Sequence, residues 1–300
     1  MFVKIYFILA FCVVLFCGAG EASPQEILVV QSMRIKPYME AVEGFRAALN
    51  GKARDMSYVV RDTAEAADYM RGGRPDLILA VGMEALRHVK KYSRIPIVYM
   101  MVLNPYAALD GEPNVTGVGM TISPEKQLAQ IRRILPGARR IALLYDPGKS
   151  GTFARRAQAA ARELQLEIAA REVAHARDVP EALKSLKGAA DAILLIPDTT
   201  VLTRETTELI MLFSVENALP VCAFSSKYLE MGALMSMDVS ASDMGRQAGL
   251  LAARILSGTR VDVPPPVDAD NPVITVNGTV ARKLGIHLSD EVRARAKVIN

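Results

Sequence analysis

The run Leu77-Ile-Leu-Ala-Val81, closed by Gly82, leaves the surrounding chain few options. Consecutive apolar residues without alternation suit a parallel strand covered on both faces. Gly82 stands where a strand must turn sharply into a helix. The spacing predicts that helix over Met83 to Tyr92, then a second buried strand over Ile97 to Leu103, closed by Asn104-Pro105. A strand, a crossover helix and a parallel strand wind right-handed into a sheet. The same plan recurs from Ala190 to Ser226, with Asp191 to Asp198 as strand and loop, Glu205 to Asn217 as helix and Leu219 to Ser226 as strand. Two copies of one layout imply two similar lobes, and two lobes imply a cleft.

The rest of the chain keeps the alternation. Strands are expected over Glu26–Ser32, Ser57–Asp62, Asn114–Thr121, Arg140–Asp146, Leu166–Val173, Gly232–Asp238 and Pro272–Asn277. Helices are expected over Ile35–Leu49, Thr63–Arg71, Glu125–Leu135, Thr152–Leu164, Val179–Lys187 and Ser242–Leu256. A short helix at Val280–Leu284 and a charged one at Ser289–Lys297 close the chain. Alternating strands and helices point to α/β architecture with two Rossmann-like parallel-sheet lobes.

Composition narrows the function. The chain has 300 residues, 51% of them hydrophobic, and a net charge of +4 with no long basic block, so nothing favours nucleic acid. Trp is absent, which excludes a carbohydrate site built on indole stacking. Residues 1–22 read as a signal peptide: Lys4 opens it, and Ile5 to Phe16 is an apolar core too short for the ~20 residues of a membrane span. Gly20-Glu21-Ala22 supplies small residues for cleavage after Ala22. The expected location is periplasmic or secreted. Bulky Phe16 before Cys17 argues against a lipid anchor there. After cleavage only Cys222 remains, in an apolar strand, so a buried thiol and no disulfide are expected.

In parallel sheets ligands sit off the carboxyl ends of the strands. That rule nominates Ser32 and Tyr38 at the first strand-to-helix junction, where free backbone N–H groups favour an anion, or where the pair is merely a helix cap and a core tyrosine. It nominates Gly82 and Met83 at a similar junction, and Asn104 after the next strand. From the second lobe it takes Tyr145, Asp198, Thr199 and Ser225. Asp198 would pair with a ligand amine or cap the following helix. Gly148-Lys149-Ser150 is no phosphate loop, because Leu143 stands where that pattern needs Gly. His88, His175 and His287 are dispersed, so no metal site is expected, and neither a cofactor nor an assembled nucleophile is indicated.

Several segments together resemble one family. They are Ala80-Val-Gly82, Ile95-Pro-Ile-Val with Asn104-Pro105, Asn114-Val-Thr-Gly-Val, Leu135-Pro-Gly-Ala-Arg-Arg-Ile, Ile196-Pro-Asp, Leu219-Pro-Val, Gly232-Ala-Leu, the run Met244 to Gly258, and Ile274-Thr-Val-Asn-Gly-Thr-Val-Ala-Arg-Lys-Leu-Gly-Ile. The chain resembles the type I periplasmic binding proteins, in the substrate-binding group of ABC transporters that includes tryptophan and tyrosine binders. The resemblance implies a three-strand hinge, with crossings near Thr121, Val239 and Val263. Lobe one would be 24–121 plus 239–262, and lobe two 122–238 plus 263–300. It implies a monomeric, non-enzymatic protein that closes on a small polar, amino-acid-like molecule and presents it to a membrane permease. The same fold serving as a periplasmic sensing module for a receptor or kinase is the alternative. The departures fall on cleft positions: the loop Ser32 to Tyr38 lacks the family's His-Pro, Asn104 replaces an Asp, and Gly119-Met120-Thr121 replaces a Ser or Asp pattern. Thr121 is therefore a further candidate contact, and the ligand's identity stays open.

Overall fold

The structure is a computed structural model that describes residues 25–51, 53–59, 72, 75–91, 94–103, 105, 108–258 and 263–300. The expected signal peptide, the expected helix Thr63–Arg71 and Asn104 lie outside the described residues.

Six strands form the first sheet, in the order β11-β5-β4-β3-β1-β2. They are β1 (Gln25–Gln31), β2 (Ala53–Val59), β3 (Leu77–Val81), β4 (Ile97–Val102), β5 (Val115–Ile122) and β11 (Val267–Ala269). Their pairings are parallel. Every residue of β3 and β4 is buried, which is why their sequences carry no alternation. One face packs on α1 (Lys36–Leu49) and α7 (Ala241–Ser257), through Ile27, Val29, Phe45, Leu79, Met244 and Leu251 among others. The other face packs on α2 (Met83–Val89) through Leu28, Ile78, Leu86 and Tyr99. Each fully buried Leu, Ile or Phe contributes about 1.5–3 kcal/mol, so the apolar runs dominate the stability.

Helices α1 and α7 touch through glycine. A Cβ on Gly245 would run into the carbonyl of Ala41, one on Gly44 into that of Ser242, and one on Gly249 into that of Phe45. The backbones approach to a distance only glycine allows. α7 is thereby clamped under the first sheet, although the strand before it belongs to the second.

The second sheet has the order β13-β12-β10-β9-β8-β6-β7. Its strands are β6 (Arg140–Tyr145), β7 (Glu167–Glu172), β8 (Ala192–Leu194), β9 (Val221–Ala223), β10 (Met235–Val239), β12 (Pro272–Asn277) and β13 (Lys297–Ile299). All its pairings are parallel except β10 with β12. Around it lie α3 (Pro124–Ile134), α4 (Pro147–Glu163), α5 (Val179–Lys184), α6 (Arg204–Glu216), α8 (Gly278–Lys283) and α9 (Asp290–Arg295).

Three passages join the sheets: after β5 at Ser123, after β10 at Ser240, and between β11 and β12 at Asp270–Asn271. The third corrects the expected position near Val263, because Val267 and Ala269 still pair with β5. The chain end needs correction too. The last helix stops at Arg295, and Lys297–Ile299 adds a strand beside β12. α4 begins at Pro147 rather than Thr152, because Asp146 caps it and Pro147 fits its first turn.

Candidate ligand-binding site

At the carboxyl edge of the first sheet, three of the nominated residues converge. Gly82 has φ +91°, and a Cβ there would lie 2.6 Å from both the Ser32 Oγ and the Tyr38 hydroxyl. Ser32 Oγ accepts a hydrogen bond from the Ala85 N–H at 3.0 Å, so it caps α2 from the neighbouring strand. Tyr38 is half-buried against the core beneath α1, and burial holds its phenol above the ordinary pKa. Met83 opens α2 and packs on the Leu28–Tyr99 side of the sheet. Around this cluster Met33, Ile35 and Leu103 are exposed, an apolar rim on the loops after β1 and β4. Backbone is unusual at this edge as well: Met101 has φ +59°, sits where the β4–β5 register shifts, and donates its N–H to the Met244 sulfur at 3.2 Å.

The facing edge of the second sheet is polar but largely self-satisfied. Asp198 is 1% exposed. Its carboxylate accepts from the backbone N–H of Asp146 at 2.8 Å, Thr200 at 2.9 Å and Val201 at 3.3 Å. It braces the loops after β6 and β8. Asp146 is spent in the same way, accepting from Thr200 Oγ1 at 2.6 Å and from the Gly148 N–H at 2.8 Å, and these bonds hold its pKa below the ordinary value. Tyr145 is 9% exposed and donates its hydroxyl to Glu172 at 2.9 Å. Thr199 is exposed and accepts from Lys149 Nζ at 2.8 Å. Ser225 precedes a short 3-10 turn, beside Phe224, whose ring meets Tyr228 edge-on at 5.3 Å.

Between the two edges the crossing strands form a floor. A crevice there is lined by Met120, Thr121, Ile122 and Gln127 at the first crossing, Pro197 and Phe224 from second-sheet loops, and Met237 and Val239 from β10. Thr121 is thus placed beside groups of the other lobe. Ion pairs tie the third crossing to its neighbours. Lys126 reaches Asp270 at 2.6 Å, Arg156 reaches Asp268 at 2.9 Å and Glu125 at 3.1 Å, and Asn271 donates to Asp243 at 3.0 Å. Exposed pairs contribute only ~0–1 kcal/mol each, so they set hinge geometry more than stability.

Two sheets, three crossings and a floor shared between them describe a clamp. The family model of ABC transporter substrate binding proteins matches residues 36–299. The chain belongs to this family. It is a family of solute-binding proteins, and among the described residues no helix is long and apolar enough to cross a membrane. The substrate-binding chain is 22% identical over 231 residues to the tyrosine-binding protein of Clostridioides difficile strain R20291. That match covers 74% of this chain but 66% of the relative, just under two thirds of its length. Among solved structures, a ligand-free, open substrate binding protein with adhesive properties from Clostridium difficile superposes with a TM-score of 0.70 at 22% identity, over 92% of this chain and 99% of that one. A domain from Streptococcus pneumonia in complex with L-Trp gives 0.57 at 19% identity, over 92% and 100%. These likenesses establish the type I periplasmic-binding-protein fold.

A larger cavity of about 440 Å³ lies at the other end of the second sheet, lined by Leu135, Asp191, Pro220 and Ile286 among others. β6, β8 and β9 present their amino ends there, and Asp191 is engaged by the Arg139 and Arg140 N–H groups and the Arg140 guanidinium. Sequence reasoning passed over Gln127 and Met237 on the cleft floor. Gln127 reads as an ordinary polar position in the first turns of a helix. Met237 reads as a core residue of a strand.

Proposed function

We propose that this substrate-binding protein is the extracytoplasmic component of an ABC importer, closing its two lobes on a small polar, amino-acid-like ligand and presenting it to a membrane permease. The observation that carries the reading is the crevice where Met120 and Thr121 meet Phe224 and Met237 across the crossing strands. A site divided between two bodies on a hinge couples binding to closure, because a ligand touching both walls favours the closed state by its differential affinity. Ser32, Tyr38, Gly82 and Met83 form one wall, with Thr199 and Ser225 on the other and Thr121 at the floor. Asn104, Tyr145 and Asp198 complete the set of positions nominated from sequence, the last two now supporting the second lobe from within. The tyrosine-binding relative and the tryptophan-bound structure support an amino-acid-like ligand. Cleavage after Ala22 would release the chain into the periplasm.

The test is a thermal-shift screen of the protein against amino acids, nucleosides, sugars and small organic acids. A compound that binds only the folded state at 100 times its Kd stabilises it by about 2.7 kcal/mol. An amino-acid-like compound should raise the melting temperature dose-dependently. Failure of every class, together with catalytic turnover of any of them, would remove the reading.

A further inference from the structure

The end of β4 carries one residue more than its neighbour can match. From Tyr99 to Val102 the strand takes three steps where β5 takes two, from Gly117 to Gly119. Within that stretch Met101 has φ +59°. A left-handed backbone is costly for a residue with a Cβ, and methionine has no short polar side chain to offset it. The conformation is nevertheless held from both sides. The Met101 N–H donates to the Met244 sulfur at 3.2 Å, and the Met100 carbonyl accepts from the Gly82 N–H at 3.0 Å. Bulges beside binding sites re-aim the side chains that follow them.

The core contacts show that re-aiming. Ile97 and Tyr99 pack on the α2 side of the sheet, Val98 and Met100 on the α1–α7 side. Met101 repeats the α1–α7 side, and Val102 then returns to the α2 side. Regular alternation would have sent Leu103 to the α2 side as well. With the bulge it comes to the side of Tyr38 and Met120, both of which pack against the α1–α7 core. β4 lies between β3 and β5, so Leu103 stands between the Gly82–Tyr38 wall and the Met120–Thr121 floor. It is 50% exposed there.

We infer that Met101 is a positioning residue for the ligand site: its left-handed bulge holds Leu103 at the cleft, where Leu103 covers apolar surface of the bound solute. The inference rests on the inter-lobe cleft being the ligand site, and it adds a contact that the strand-end rule did not nominate.

The test is calorimetric titration of the common L-amino acids, with the tightest binder carried through the variants. Leu103→Ala should weaken it by about fivefold or more. Met101→Ile is close in volume but resists positive φ, so it should weaken binding as much. Adding Leu103→Ala to Met101→Ile should then change affinity by less than about twofold, because the contact is already lost. Met101→Gly accepts positive φ freely and should recover the affinity that isoleucine loses, although its melting temperature falls through lost packing. A mere packing role for Met101 predicts the reverse order, isoleucine binding better than glycine, and overturns the inference. Unchanged affinity in Leu103→Ala overturns it as well, without any change at the bulge having to fold. Should no amino acid bind, the inference falls, while the thermal-shift screen decides separately whether another solute does.

Discussion

Asp198→Ala separates a ligand contact from an internal brace. The carboxylate is 1% exposed and accepts three backbone N–H bonds from the loops after β6 and β8. Removing it strands those donors, at about 1–3 kcal/mol for each that stays buried. Val201 is buried, whereas Asp146 and Thr200 are half-buried and can recover water. The loss should therefore come near the low end for three groups, about 3 kcal/mol. For a chain of this size 1 kcal/mol moves the melting temperature by about 2–4 °C, so a fall of roughly 6–12 °C is expected. The assay is thermal unfolding followed by far-ultraviolet circular dichroism, with no ligand added. A melting temperature within about 2 °C of the unaltered protein, combined with lost binding, would refute the brace and return Asp198 to the ligand.

Gly245→Ala should lower stability by about 1–3 kcal/mol despite the better helix propensity of alanine, because the new methyl meets the Ala41 carbonyl where α1 and α7 touch; chemical denaturation with an unchanged m-value checks this. Acid should loosen the hinge. Burial alone would raise Asp243, but hydrogen bonds from Gln247, Arg246 and Asn271 outweigh it and hold its pKa below the ordinary 3.8. Burial likewise opposes the shift of Glu125, yet its backbone amide, Ser123 and Arg156 together depress it below 4.5. Groups depressed in the folded state stabilise fully above their unfolded pKa and lose that stabilisation as pH falls through the folded value. Melting temperature should thus be level above about pH 5 and decline below about pH 4; a decline between pH 7 and 5 would point to other groups. Cys222 is fully buried and its thiol is pushed up to about 12, so in the chain cleaved after Ala22 a maleimide should leave the folded protein unlabelled at neutral pH and label it once denatured.

The fold was readable because its central strands are covered on both faces. Leu77–Val81 and Ile97–Val102 have no solvent side, so their sequences could be little else. Elements whose identity depends on a distant partner were not readable. β11 is a strand only because Val267 and Ala269 lie beside β5, and that moved the third crossing away from Val263. β13 similarly exists through Thr275–Asn277 of β12. On the site, strand ends could be located but side-chain direction could not. Ser32, Tyr38 and Gly82 converge as the strand-end rule implies. Tyr145 and Asp198 occupy equivalent strand ends, yet Glu172 and three backbone N–H groups claim them. Gln127 escaped notice because only the crossing of the chain brings the start of α3 to the cleft floor.

Small-angle X-ray scattering tests the central claim, that two lobes close on a small solute. The protein would be measured alone and with a saturating amount of whichever compound most raises its melting temperature. Closure predicts a smaller radius of gyration in the bound state, and no such change with a compound of the same class that leaves the melting temperature unmoved. Tight binding that leaves the radius of gyration unchanged would contradict the account.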